Sequence, residues 1–63
     1  MRLMFLPVND AWAFFFGDIL IDLEGFPRFH STLKEAKDAA ASLGLEVSRV
    51  SCGIYAVNAK AVA

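Results

Sequence analysis

In the segment AWAFFFGDILIDLE, residues 11–24, the apolar positions read as two strands folded about one turn. Glycine at the first central position of a two-residue loop suits a primed turn, whose twist matches the flanking strands, so Gly17-Asp18 predicts a β-hairpin. That loop sets Phe16 opposite Ile19, Phe14 opposite Ile21 and Trp12 opposite Leu23. Side chains alternate between the faces of a strand, and cross-strand partners share a face. These large apolar residues therefore lie on one side, expected to be the core. The other side receives Phe15 with Leu20, Ala13 with Asp22 and Ala11 with Glu24. A slip of one residue would send both sets to the wrong faces, which pins the register.

The preceding run RLMFLPV joins the same sheet if the chain turns at Asn9-Asp10, both tolerant of positive φ. This turn predicts Phe5 opposite Phe14 and Leu3 opposite Phe16 on the core side, with Met4 opposite Phe15 and Leu6 opposite Ala13 on the other. Pro7 has no N–H to give to a ladder, so the strand is expected at an edge, at least at that end. EGFPRFHS reads as a turn and a short extended piece, broken by Gly25 and steered by Pro27.

A helix follows. Thr32 to Glu35 matches the capping box, in which hydroxyl and carboxylate satisfy two free N–H groups reciprocally. Leu33, Ala36, Ala40 and Leu43 form one helical stripe, and Gly44 ends it. LEVSRVSCGIYAV predicts a last hairpin whose three-residue loop, Ser51 to Gly53, puts glycine where positive φ is wanted. It sets Val47 opposite Val57 and Arg49 opposite Tyr55. Leu45, Val47, Tyr55 and Val57 then share the core face, and Val50 pairs with Ile54 on the other. Residues 58–63 are expected to fray. The product is one α+β domain over 1–63, of βββαββ order: an antiparallel sheet of about five strands with one helix packed on one face. A split ferredoxin-like arrangement is the alternative, although only one helix is visible.

Composition sharpens this picture. A chain of 63 residues buries only about 60% of the surface its unfolded form exposes. It therefore needs a disulfide, a metal, association or a dense core. One cysteine, Cys52, excludes an internal disulfide, and one histidine, His30, falls short of a structural zinc set. A dense core or association remains, in keeping with 57% hydrophobic residues and six Phe. No cofactor or metal is expected. The N-terminus imitates a signal peptide, but its apolar part, LMFLPV, is short and is interrupted by Asn9 and Asp10. No run approaches the ~20 residues of a spanning helix. The expected location is the cytoplasm of a bacterial host cell, with Cys52 a free thiol.

The net charge of −1 argues against a general basic nucleic-acid binder. The charge is uneven: residues 1–27 set Arg2 against Asp10, Asp18, Asp22 and Glu24, while residues 28–63 are net basic. Candidate chemistry is thin. A thiol nucleophile needs an activating base, and only Cys52 with His30 could form that pair. Asp22 and Glu24 share a strand face and could act as paired carboxylates, but that face reads as solvated. Asp18, Asp22 and Glu24 could offer oxygen ligands to calcium or magnesium, yet they lie along a strand rather than around a loop. There is no phosphate-binding glycine motif. Phe14 and Phe16 could imitate the stacking aromatics of a single-strand binder, but they fall on the core face. No enzyme is expected.

A single helix covers one face of the sheet. The other face would carry Met4, Leu6, Phe15 and Leu20, rimmed by Asp22 and Glu24, the anatomy of an interface with aromatic anchors. The C-terminal tail, or Val50 and Ile54, could cover it instead, or a second copy of the chain.

The layout FFFGDILIDLEGFPRFHSTLKEAKDAAASLGLEV, together with the small size, the acidic first half and the lack of a catalytic set, resembles the anti-CRISPR proteins. These are small inhibitors, often encoded by phages and mobile elements, that bind a Cas effector. The resemblance implies a stoichiometric inhibitor that occupies a basic protein groove and blocks DNA binding, sometimes by imitating DNA; four acids grouped in the first half keep a local version of that mimicry open. The expected partner-binding residues are Met4, Phe15, Asp18, Leu20, Asp22 and Glu24. A small nucleic-acid-binding module using Arg28, Lys34, Lys37 and Arg49, or a structural homodimer joined through the apolar face, stands as the alternative.

Overall fold

Every ladder of the sheet is antiparallel, as a short turn requires wherever successive strands pair. The computed structural model describes residues 1–59. Its elements are β1 (Arg2–Leu6), β2 (Ala11–Phe16), β3 (Ile19–Ile21), β4 (Phe29–His30), α1 (Leu33–Ser42), β5 (Leu45–Ser51) and β6 (Ile54–Ala59). The spatial order is β3-β2-β1-β6-β5, with β4 also on β2. The fold is α+β, a helix between strands as the hydropathy pattern predicts. No helix among the described residues is long and apolar enough to cross a membrane.

The β2–β3 hairpin forms in the expected register, Phe16 with Ile19, Phe15 with Leu20 and Phe14 with Ile21. Gly17 at its turn takes φ 64°, a conformation costly for any residue with a Cβ. The hairpin then departs from expectation. Trp12 pairs with His30 rather than Leu23, because the chain leaves the ladder after Ile21 and returns as β4. Strands β3 and β4 thus lie end to end along one edge of β2, joined by an excursion over 22–28. Leu23 turns inward from that excursion and is buried.

The β1–β2 pairing is shifted by two residues, giving Leu3 with Phe14, Phe5 with Trp12, Met4 with Ala13 and Leu6 with Ala11. Pro7 is the cause. Lacking an N–H it cannot extend the ladder, so the connection becomes a four-residue turn over 7–10. Asn9 N–H donates to the Leu6 carbonyl at 3.1 Å and Asp10 N–H to that of Pro7 at 3.3 Å, with Asp10 at φ 48°. A shift of two keeps every side chain on its face. Strand β1 is central rather than an edge, since β6 pairs with its other side through Arg2, Leu3 and Met4. The proline sits outside the ladder, where it obstructs neither neighbour.

The helix starts at the N-cap Thr32, whose Oγ1 accepts from Glu35 N–H at 3.1 Å. The Glu35 carboxylate accepts from Ser31 N–H at 3.2 Å, one residue earlier than the standard box. The buried helical residues are Ala36, Ala39 and Ala40. Leu43, expected on the stripe, is the C-cap and 43% exposed, because the backbone has already left the helical path there. An alanine face leaves room for large side chains rising from the sheet. Phe14, Leu3 and Val57 fill it and are the largest fully buried residues.

Phe16 and Ile19, expected in the core, are each 66% exposed. They point to the helix side, but the helix packs on β5, β2 and β4 and the hairpin tip extends beyond it. In the last hairpin, Val47 with Val57 and Arg49 with Tyr55 pair as expected. A bulge between Arg49 and Ser51 then sets Ser51, not Val50, opposite Ile54, and Val50 is left exposed. Asn58 and Ala59 belong to β6; the rest of the tail expected to fray, 60–63, lies outside the described residues.

Candidate functional site

Core contacts settle which face the helix covers. Leu3, Phe14 and Val57 pack with Ala36, Ala39 and Ala40, and Trp12, Ile21, Val47 and Tyr55 join them. Alternation then assigns the opposite face. One cross-strand row there runs Leu20, Phe15, Arg2, Ala56, and the next runs Phe29, Ala13, Met4, Ile54. Leu6 and Ala11 pair beyond them. Met4, Leu6, Phe15, Leu20, Ile54 and Ala56 are half-buried and Phe29 is exposed. Ala13 is 0% exposed although no helix covers it; its cross-strand partners on the two flanking strands, Met4 and Phe29, are both much longer. Among the described residues no other element lies across this face. Leu23 and Phe26 of the excursion turn to the helix side.

Of the expected binding residues, Met4, Phe15 and Leu20 share this face. Asp18 occupies the turn between β2 and β3, and Asp22 and Glu24 lie on the excursion, all three exposed. The carboxylates thus gather along the β3 margin instead of around a rim. Arg2 was not expected in the site. It lies in the Phe15 row, and its guanidinium donates to the Gly17 carbonyl at 3.3 Å, tying the first strand to the hairpin tip. Its signal was its spacing of two from Met4, which puts both on one face. Phe29 and Ala56 were missed because β4 and the β1–β6 pairing join residues far apart in sequence. Ile54, one candidate for covering the face, is part of it.

The other candidate chemistry is not assembled. Cys52 is exposed in the β5–β6 turn, and His30 is buried on β4. Strands β1 and β2 stand between them. Among the described residues no three of His, Cys, Asp and Glu come together to hold a metal ion. The basic set is divided as well: Arg28 precedes β4 at one edge of the sheet, whereas Arg49 lies on β5 at the other. An open groove of about 360 Å³ between helix and sheet is lined by Lys37, Ala41, Leu45, Glu46 and Val47, with no catalytic grouping among them. Comparison with known proteins finds no matching family model, no matching curated protein and no matching solved structure.

Proposed function

We propose that the chain is a non-enzymatic protein-binding module that docks its partner on the open sheet face, acting as a stoichiometric inhibitor of a nucleoprotein effector of the Cas type. The observation that carries this reading is the apolar face that the described residues leave uncovered. Completing the burial of a large apolar side chain is worth up to roughly 1.5–3 kcal/mol, and Met4, Phe15 and Leu20 lie side by side there with that gain still partly unrealised. Asp18, Asp22 and Glu24 along one margin favour a basic partner surface, such as one that otherwise holds nucleic acid. Rim charges of this kind mainly raise the association rate and weaken with salt.

Capture from a bacterial lysate at low and high salt tests the reading. A specific partner is expected to be lost with Leu20→Glu, weakened by Asp22→Lys with Glu24→Lys, and retained with Asp38→Ala on the helix. The captured protein is expected to release bound nucleic acid when the chain is added in excess. A partner indifferent to Leu20→Glu sinks the proposal. A chain that sediments as a dimer, and as a monomer after Leu20→Glu, gives the face to a second copy instead.

A further inference from the structure

Three aromatic rings meet on the helix side of the sheet, well away from the open face. Phe5 and Trp12 are cross-strand partners with ring centroids 5.3 Å apart and planes at 59°. Trp12 in turn meets Tyr55 edge-on, at 5.7 Å. None of the three residues is fully buried, although Trp12 and Tyr55 also pack against the core. Two cations attend the cluster. Lys37 Nζ lies over the Tyr55 ring, 5.4 Å from its centroid. Arg49 is the partner of Tyr55 on β5, shares its face and is exposed. The carboxylates on these and adjoining elements are Asp10, in the turn from β1 to β2, Asp38, next to Lys37 on the helix, and Glu46, which lines the groove with Lys37 from β5. Asp18, Asp22 and Glu24 lie toward the opposite edge of the sheet.

Lone aromatic rings at a sheet corner need only be core. The pairing with two cations asks for more: Lys37 and Arg49 repel a cationic ligand, and partly open rings favour a flat one. An anion that carries flat rings on a flexible backbone satisfies both, its bases stacking on aromatic faces and its phosphates meeting the cations. We propose that the Phe5–Trp12–Tyr55 corner, flanked by Lys37 and Arg49, binds a short stretch of single-stranded nucleic acid. A duplex keeps its bases stacked on one another and offers no ring faces. This site is on the opposite side of the sheet from the protein-docking face and does not depend on it.

Trp12 is the chain's only tryptophan, so its fluorescence reports this corner directly. Titration with an oligothymidylate at low salt is expected to quench it saturably. With two phosphate contacts, a tenfold rise in salt should weaken binding about 25-fold. Tyr55→Ala should weaken binding roughly 5- to 100-fold through lost stacking. Because Tyr55 also touches the core, Lys37→Glu with Arg49→Glu serves as the surface variant: it should abolish quenching while circular dichroism stays native. Leu20→Glu, on the other face, should bind as the parent does. A thymidine mononucleotide should bind at least about tenfold more weakly than the strand, having a single base to stack. The proposal is overturned by no quenching up to about 1 mM strand, beyond the ~1–100 µM of ordinary non-specific binding. Equal binding of a duplex or of the mononucleotide, or quenching indifferent to the double charge reversal, overturns it too.

Discussion

His30 is the residue at which the core is least satisfied. It is 4% exposed, its ring stands edge-on to Phe14 at 5.6 Å, and its Nε2 has no hydrogen-bond partner among the described residues. A buried polar atom left unpaired costs about 1–3 kcal/mol, while an aromatic pair contributes about 0.5–1.5 kcal/mol beyond its area. The first effect outweighs the second. His30→Leu should therefore stabilise the fold by about 1 kcal/mol, read as a rise in Tm of about 4–8 °C for a domain this small. A lower Tm would contradict this. Neighbouring residues show what alternation can reveal. Phe14, Phe15 and Phe16 point alternately, as their spacing predicts, yet Phe14 is 0% and Phe16 66% exposed on the same side. Parity assigns a face; how far the helix reaches over it is a tertiary fact that no local spacing contains.

At the scale of elements, the helix is the part most dependent on local chemistry. It has ten residues, too few to be stable alone in water, and its packing face is alanine, which buries little area per residue. Its N-terminal bonds therefore matter. Thr32→Ala should cost about 1 kcal/mol and lower Tm by several degrees, with Thr32→Ser close to the parent; equal Tm for both variants would show that the cap carries no weight. The capping box and Gly17-Asp18 were legible because each depends on residues within a few positions. Strand β4 and the β1–β6 pairing were not, since two residues of strand carry no periodicity and the partners are far apart in the chain. The β1–β2 register shows the intermediate case. Pro7 signalled an interruption, and the structure answers by lengthening the turn instead of moving the strand to an edge.

The whole molecule is a two-layer domain with three exposed surfaces of different character: an apolar sheet face, an acidic β3 margin and an aromatic corner flanked by Lys37 and Arg49. A chain of 63 residues is expected to have only about 3–9 kcal/mol of stability, so incompletely buried apolar side chains such as Met4, Phe15 and Leu20 are a reserve of free energy for association. One helix among many strands pointed to a second face that the described residues leave open, and alternation alone could place Arg2 and Ile54 on it; Phe29 and Ala56 were not legible, for they depend on strand order. The most direct measurement joins stability to binding in one variant. Leu20→Glu is predicted to lower Tm by only a few degrees, because the side chain is only partly buried in the free chain, and to abolish partner capture. Loss of the cooperative unfolding transition in the variant would show the face to be covered within the chain, and capture at the parent's level would show that the partner docks elsewhere; either result contradicts the account.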